Sequence, residues 1–268
     1  MRPISLASVA MGPILAVAVG VAIPAAASVQ HYVALGDSYS SGLGAGGYIG
    51  SSGSCERSTN AYSALWAKAN SPASYVSVAC SGATTADVIR TQLPALTTST
   101  TLVSMTVGGN DEGFSTIMED CNLRGTSTCV SDIDAAEADA RANLPGKLAQ
   151  VFAGIAFRAP NARVVMLGYP RFYDLAHDCI GLSQTSRAKI DEGIDLLDSI
   201  LSQAAAAAHA PVADVRAAFG GHEICDGSRW LHSVNIFDLE ESYHPTATGQ
   251  SRGYYPVFAA VAQTNSTN

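Results

Sequence analysis

A serine and a histidine stand at positions in this sequence where they could carry out nucleophilic catalysis. Ser38 follows the apolar run Tyr32–Leu35, and His244 stands directly before Pro245 in a turn-rich stretch. A serine hydroxyl becomes a nucleophile when a neighbouring base accepts its proton, and histidine is the usual base. Pro245 biases His244 towards an extended backbone just ahead of the last helical segment, so its ring would be firmly held. We therefore expect Ser38 and His244 to form a nucleophile–base pair.

The surroundings of Ser38 argue against an ordinary α/β-hydrolase but do not by themselves identify the serine as a nucleophile. The nucleophile elbow G-x-S-x-G is absent because Ser40 takes the place of its second glycine. The segment Gly36-Asp37-Ser38 is a weak signal, since Asp and Ser also favour turns and helix caps. Among the other histidines, His222 and His232 remain alternatives to His244, while His31 and His209 are expected at the surface.

Two further turns could supply hydrogen-bond donors to a developing oxyanion. Gly82 follows the second apolar run of the chain, and Asn110 follows a glycine pair after the third. A glycine lets backbone N–H groups approach a substrate closely, and a side-chain amide is a suitable oxyanion donor, although both types are also common in turns and caps. Because Ser38, Gly82 and Asn110 all follow strands and His244 comes late, we expect one site that transfers acyl groups.

Short apolar runs alternate with helical patterns along the chain, and these elements must position the four residues. The predicted strands are Tyr32–Leu35, Tyr75–Val78, Leu102–Val107, Arg163–Leu167 and Val212–Val215. The predicted helices are Ala61–Lys68, Thr85–Gln92, Ile133–Phe157, Ser186–Ala208 and Thr246–Ala262. This alternation predicts an α/β fold with a doubly wound parallel sheet flanked by helices on both faces. Such sheets bind ligands at the carboxyl ends of their strands.

Composition limits the kind of protein this can be. The chain has 268 residues, of which 47% are hydrophobic and 14% charged, and its net charge is -8. This excludes a disordered or collagen-like chain, and the lack of a basic run argues against a nucleic-acid partner. The apolar, uncharged stretch that ends at Ala25-Ala26-Ala27 predicts a signal peptide over residues 1–27, with a retained membrane anchor as the alternative. Residues 28–268 would then form one secreted domain.

The cysteine count agrees with an oxidising compartment. All six cysteines follow the predicted cleavage site, at positions 55, 80, 121, 129, 179 and 225. An even number predicts three disulfides, and proximity favours consecutive pairs among the fifteen possible pairings. Cys121 and Cys129 would bracket a polar loop, Asn122–Thr128. A structural zinc site is the alternative, but no two cysteines have the close spacing that such a site uses.

The ordered segments resemble the four blocks of the SGNH hydrolase family, also called GDSL esterases. The blocks are Gly36-Asp37-Ser38, Cys80-Ser81-Gly82-Ala83, Gly108-Gly109-Asn110-Asp111 and the segment around His244. The longer runs GDSYSSG, CSGA, GGND, GYPRFY and SYHPT look like the secreted actinobacterial lipases and phospholipases of that family. The resemblance implies that Ser38 is the nucleophile and His244 the general base. It also implies an oxyanion hole made by the backbone N–H groups of Ser38 and Gly82 with the Asn110 side chain.

The resemblance implies the disulfides Cys55–Cys80, Cys121–Cys129 and Cys179–Cys225, and no cofactor or metal. The sequence departs from the family pattern at two positions. Tyr39 replaces the leucine of the GDSL name, which is expected to remove a core-like residue. Glu241 stands where many members have an aspartate three residues before the histidine, so either the Glu241 carboxylate or the Ser242 backbone carbonyl would orient the His244 ring. The carbonyl is favoured, as in similar secreted lipases.

We therefore predict a monomeric, extracellular carboxylic ester hydrolase that acts on acyl esters of lipids and touches lipid aggregates transiently. A sugar-ester deacetylase of the same family and a non-catalytic secreted binding protein are the alternatives. The run Gly42–Gly47 also matches the dinucleotide-binding pattern G-x-G-x-x-G. That interpretation is disfavoured because the motif begins well after the first strand and an exported protein would meet little of that cofactor.

Overall fold

A parallel sheet of five strands forms the centre of the protein. The computed structural model describes residue 1 and residues 29–235 and 238–263, so the predicted signal peptide lies, apart from Met1, outside the described residues. The strands are β1 His31–Ala34, β2 Ser74–Ser77, β3 Leu102–Met105, β4 Arg163–Leu167 and β5 Val212–Ala213. They are ordered β2-β1-β3-β4-β5 and all pair in parallel. The predicted doubly wound α/β fold is confirmed.

Helices cover both faces of this sheet. They are α1 Ser38–Ser41, α2 Tyr62–Asn70, α3 Thr85–Asp87, α4 Phe114–Leu123, α5 Thr126–Arg158, α6 Gln184–Ala207, α7 Arg216–Phe219 and α8 Tyr255–Gln263. All four residues of β3 are buried, as expected for a central parallel strand packed on both faces, whereas the edge strand β2 alternates between exposed and half-buried residues. The carboxyl ends of β1 and β3 therefore lie side by side at the centre of one sheet edge.

Two local predictions differ from the structure. The predicted polar loop Asn122–Thr128 is wrong, because α4 continues to Leu123 and α5 already begins at Thr126. Its polar residues lie on the surfaces of two helices joined at Gly125, whose φ of +83° allows the sharp turn. The predicted helix Thr85–Gln92 is α-helical only to Asp87 and continues as a wider π-helical turn.

Three disulfides cross-link the fold. They are Cys55–Cys80, Cys121–Cys129 and Cys179–Cys225, the pairs that the family resemblance implied. The first bridge ties the loop after α1 to the turn after β2, and the second joins α4 to the first turn of α5. Within the described ranges, none of the helices is both long enough and apolar enough to cross a bilayer.

Candidate active site

Ser38 lies at the carboxyl end of β1, where the chain turns directly from strand into helix. The backbone N–H of Asp37 still donates to the Thr106 carbonyl at 3.0 Å, so pairing with the β3 segment continues to the residue before Ser38. Gly36 has a φ of +117°, and a Cβ there would lie 2.3 Å from the Thr106 carbonyl oxygen. Only glycine fits at this position, so the turn that presents Ser38 requires it.

Asp37 caps the helix that begins at Ser38. Its Oδ1 accepts from the Tyr39 N–H at 3.0 Å and from the Thr106 hydroxyl at 2.5 Å, and its Oδ2 accepts from the Tyr169 hydroxyl. Burial raises the pKa of this carboxyl to about 6, although the hydrogen bonds act in the opposite direction. Asp37 therefore fixes the backbone that carries Ser38.

Ser38 and His244 form a direct hydrogen-bonded pair. The Ser38 Oγ lies 2.7 Å from His244 Nε2, and both residues are buried. The other ring nitrogen, Nδ1, lies 3.0 Å from the Ser242 carbonyl oxygen. Because a carbonyl can only accept, Nδ1 carries the proton and Nε2 is left as the acceptor of the Ser38 hydroxyl. This tautomer is the one that a general base requires.

A short antiparallel pairing holds the backbone on both sides of His244. The His232 N–H donates to the His244 carbonyl at 2.9 Å, and the Tyr243 N–H donates to the His232 carbonyl at 3.0 Å. The His232 ring donates from Nε2 to the Gly44 carbonyl at 2.7 Å, which attaches this pairing to the loop after α1. His232 therefore supports the position of His244, and its ring is hydrogen-bonded to Gly44 and not to Ser38.

Tyr39 is part of the core next to the site, so the expectation that it removes a core-like residue is wrong. It is 3% exposed, and its ring centroid lies 5.0 Å from that of His244. Its hydroxyl reaches the Tyr243 carbonyl at 2.8 Å. The larger aromatic side chain fills the space that a leucine would occupy and satisfies its polar end at the backbone beside His244.

The Glu241 carboxylate is hydrogen-bonded to Tyr48 and not to the His244 ring. Its Oε1 accepts from the Tyr48 hydroxyl at 2.6 Å, while its backbone carbonyl accepts from the His244 N–H at 3.1 Å. The Ser242 carbonyl occupies the position facing Nδ1. This geometry supports the carbonyl, and not the carboxylate, as the group that orients the ring.

Replacing Glu241 by glutamine is expected to lower kcat less than about tenfold. The Ser242 carbonyl survives the substitution, whereas loss of a true triad carboxylate costs about 10⁴-fold. Steady-state kinetics on Glu241→Gln, with Glu240→Gln as the neighbouring control, measure the effect. A drop of more than about a hundredfold in the first variant alone would show that the carboxylate is essential.

The turn after β2 is tied to the turn after β3, which brings Gly82 near Asn110. Asn110 Nδ2 donates to the Ala83 carbonyl at 3.1 Å, and its second N–H remains available. The Thr85 N–H and hydroxyl both donate to the Asp111 carboxylate, at 2.8 and 2.6 Å. Gly82 adopts a φ of +76°, with open space where a Cβ would be.

The three predicted oxyanion donors have free N–H groups in this arrangement. Among the described residues, none accepts a hydrogen bond from the backbone N–H of Ser38 or of Gly82. Ser38 and Asn110 line one cleft, together with Phe114 and Phe172. The arrangement is suited to binding an acyl carbonyl, and the role of these donors remains a prediction.

Other histidines contact groups outside the Ser38 cleft. His222 stacks on Trp230 with ring centroids 3.6 Å apart, and His31 lies 2.8 Å from the Ser74 hydroxyl. Within the segments that the structure covers, none of the five other histidines lines the cleft at Ser38. A separate group, Asp174, His177 and Asp226, contains side chains that could hold a metal ion near the Cys179–Cys225 bridge. These three side chains do not line the Ser38 cleft. The expectation that the reaction needs no metal stays a prediction.

A serine paired with a histidine at the carboxyl edge of a parallel sheet is the arrangement of a serine hydrolase. A model of the GDSL-like Lipase/Acylhydrolase family matches residues 34–252. Lipase 1 of Streptomyces coelicolor is 52% identical over 256 residues, covering 92% of this chain and 96% of the relative.

Two solved structures share both the fold and much of the sequence. The phospholipase A1 of Streptomyces albidoflavus NA297 has a TM-score of 0.86 and 50% identity, covering 88% of this chain and 100% of that chain. The extracellular lipase of Streptomyces rimosus has a TM-score of 0.84 and 50% identity, covering 87% of this chain and 99% of that chain. The chain belongs to the GDSL-like lipase/acylhydrolase family, and the resemblance stated from its motifs is confirmed. The protein is a serine ester hydrolase.

Sequence reasoning missed two supporting residues of the site. The sequence indicates for Asp37 only a role in a turn or helix cap, although its carboxylate also binds groups from the β3 segment and from Tyr169. Gln92 was placed in a helix without a role, yet its side-chain amide donates to the Gly36 carbonyl at 2.8 Å and accepts from the Gly36 N–H at 2.7 Å. A buried glutamine at the end of a short helical segment could have suggested such a backbone contact.

Proposed function

We propose that the protein is a secreted lipase or phospholipase that hydrolyses acyl esters of lipids through Ser38 and His244. The observation that carries the proposal is the 2.7 Å contact between Ser38 Oγ and a ring nitrogen that is left unprotonated by the Ser242 carbonyl. The names of the relatives support lipid esters as the substrate class. The apolar residues around Ser38, among them Phe114 and Phe172, suit an acyl chain better than a sugar.

The reaction proceeds by two acyl transfers. His244 Nε2 accepts the Ser38 proton while Oγ attacks the ester carbonyl carbon, and the three N–H donors stabilise the negative oxygen of the tetrahedral intermediate. Collapse breaks the bond to the leaving alcohol, which takes the proton from His244. A water molecule then loses a proton to His244 and attacks the acyl-enzyme, and the fatty acid leaves as Ser38 recovers its proton.

We also propose that the protein is exported from the cell and acts as a monomer. The three disulfides are typical of an oxidising compartment, and one relative is described as extracellular. Residues 1–27 would serve as the cleaved signal peptide, so the mature chain would meet its lipid substrate outside the cell. The dehydrogenase interpretation finds no support, because α1 ends at Ser41, before the glycine run Gly42–Gly47 that would have to begin a helix.

A fluorophosphonate probe tests the nucleophile and defined lipids test the substrate class. Peptide mapping of the labelled, purified protein is expected to find the probe on Ser38, and no label is expected on Ser38→Ala. Turnover on triolein or on dioleoylphosphatidylcholine vesicles is expected to exceed turnover on acetylated xylose. Labelling without any lipid turnover would overturn the substrate assignment, and absence of labelling on a folded protein would overturn the enzyme mechanism.

Replacing Asn110 by alanine is expected to lower kcat by about 10²–10³-fold, the scale of losing one oxyanion donor. The effect arises because the donor acts on charge that develops only in the transition state, so KM should change little. Steady-state kinetics on a soluble ester measure both constants. Asn143→Ala, on the exposed face of α5, is the control. An effect confined to KM would assign Asn110 to substrate binding instead.

The acid limb of the pH profile is expected well below the titration of an ordinary histidine. Burial lowers the pKa of His244 to about 4, and His232 acts in the same direction, while the hydrogen bond to Ser242 opposes the shift. Only the neutral ring accepts the Ser38 proton, so kcat/KM should persist to about pH 5 and fall as the pH approaches 4. Circular dichroism at each pH separates this loss from unfolding. A limb centred near pH 6 would point instead to Asp37, whose pKa burial raises to that range.

A further inference from the structure

Tyr169 is a buried tyrosine in the wall of the cleft that contains Ser38. It follows β4 at the sheet edge where the other site residues lie, and it belongs to the run GYPRFY. Its side chain is only 4% exposed. A buried hydroxyl needs hydrogen-bond partners, and the partners of this one come from two different turns of the site.

The first partner of the Tyr169 hydroxyl is the turn that carries Ser38. The hydroxyl donates to Asp37 Oδ2, whereas the Tyr39 N–H and the Thr106 hydroxyl donate to Oδ1. Burial and the negative Asp37 carboxylate raise the pKa of Tyr169 well above its ordinary value. The hydroxyl therefore keeps its proton and remains a donor. This contact ties the Tyr169 ring to the residue directly before Ser38.

The second partner is the turn that carries Asn110. A hydrogen bond from the Gly109 backbone N–H to the same hydroxyl opposes the rise of its pKa. A Cβ on Gly109 would lie 3.8 Å from the hydroxyl oxygen, so the Gly109 backbone is directly beside it. Asn110 is the next residue in the chain. The hydroxyl of Tyr169 therefore joins the turn of Ser38 to the turn of Asn110.

Tyr169 is itself held at its backbone and at its ring. Its N–H donates to Asp198 Oδ1 of α6 at 2.9 Å, and the carbonyl of Gly168 accepts from the Tyr254 hydroxyl at 3.0 Å. Its ring packs edge-on against Tyr39, with centroids 5.0 Å apart. A side chain that is fixed in this way can in turn fix the groups that it contacts.

The two turns need a link of this kind if their donors are to act together. Donors of an oxyanion hole must lie about 2.7–3.1 Å from one oxygen atom. The backbone bond from Asp37 to Thr106 precedes both donors along the chain. Asn110 follows Thr106 by four residues, after two glycines that leave the backbone many conformations. Its position therefore depends on contacts of the turn itself.

We propose that Tyr169 is a positioning residue whose hydroxyl holds the Asn110 side chain in line with the Ser38 backbone N–H, so that both donate to one ester oxygen. The inference rests on the proposed ester hydrolysis at Ser38 and adds a residue to that site. Tyr169 acts on the reaction through Asp37 and Gly109. Its loss would misplace a donor to the transition state while the substrate still binds, so the effect falls on kcat.

Tyr169→Phe removes the hydroxyl and keeps the ring. The kcat on p-nitrophenyl butyrate is expected to fall about ten- to a hundredfold, since misplacing a catalytic group by about 1 Å costs on the order of 10² in rate. KM should change less than about twofold. Tyr32→Phe is the matched control, because Tyr32 is fully buried, lies outside the cleft and contacts Ser104 Oγ at 2.6 Å. Its kcat should change less than about twofold.

The Asn110→Ala background separates positioning from a general loss of structure. When the donor is absent its alignment no longer matters, so adding Tyr169→Phe should lower kcat less than about threefold further. An alkyl trifluoromethyl ketone provides a second measurement. Ser38 Oγ adds to its carbonyl carbon and leaves a negative oxygen that needs the same donors. Its inhibition constant should rise in Tyr169→Phe by the factor by which kcat falls.

The proposal is overturned by an unchanged kcat or an unchanged inhibition constant in folded Tyr169→Phe. It is also overturned by a loss of equal size with and without Asn110. If Tyr169→Phe does not fold, Asp37→Asn decides, because its amide oxygen can still cap α1 while the acceptor of the Tyr169 hydroxyl is lost. The same factors are expected for that variant. Absence of ester hydrolysis by the unmodified protein would instead overturn the proposed function.

Discussion

The Ser38→Ala variant is expected to lose about 10⁶-fold in kcat on soluble acyl esters, the scale measured when the serine of a catalytic triad is removed. The fold should persist, because the change removes one hydroxyl and no core volume. The backbone contacts of Asp37 and of Gly36 that shape the turn do not involve the Ser38 side chain. Thermal unfolding midpoints within about 5 °C of the unmodified protein would demonstrate this, since loss of the one hydrogen bond to His244 costs about 0.5–1.5 kcal/mol.

Ser81→Ala is the matched control for this experiment. Ser81 also follows a strand at the same sheet edge, but the hydroxyl bonded to His244 Nε2 is that of Ser38. Its loss should change kcat less than about threefold. Retention of a tenth of the original activity by Ser38→Ala, or inactivity of Ser81→Ala, would contradict the assignment of the nucleophile.

The His244→Ala variant is expected to lose activity on the same scale as Ser38→Ala. The two side chains act as a unit, so removing the proton acceptor leaves a serine with an ordinary, weak hydroxyl. A double variant should therefore be no slower than either single variant. Kinetics of the two single variants and the double variant on one substrate, with enough enzyme to detect residual turnover, test this directly.

His232→Ala distinguishes support from catalysis. This ring donates one hydrogen bond, to the Gly44 carbonyl, and loss of such a bond corresponds to at most about a tenfold effect. The backbone pairing of His232 with the segment around His244 remains in the variant. An inactive His232→Ala together with an active His244→Ala would reverse the assignment of the base.

The parts of the site that were predictable are those that follow from strand order. Ser38, Gly82 and Asn110 each come directly after an apolar run, and parallel strands place their carboxyl ends at one edge. The strands themselves were found within one or two residues because buried parallel strands form continuous apolar runs. His244 could be singled out because Pro245 fixes its backbone next to a helical pattern.

What could not be predicted depends on contacts between residues that are far apart in sequence. The Asp37 carboxylate meets Thr106 and Tyr169, and Glu241 meets Tyr48, and no local pattern connects these positions. The helix α1 is four residues long, so it has too little periodicity to be recognised. The segment Asn122–Thr128 was misassigned because its polar composition is shared by loops and by exposed helix faces.

The proposed role of the Ser242 carbonyl has a consequence for how this site can change. A main-chain oxygen is present whatever amino acid occupies the position, so scanning the chain with alanine cannot delete it. What must be preserved is the path of the backbone, and Tyr243 follows that path with a φ of +68°. Glycine at position 243 would keep this conformation and proline would forbid it. The proposed third functional group of the site is thus encoded in backbone conformation, and a comparison of side chains alone would not detect it.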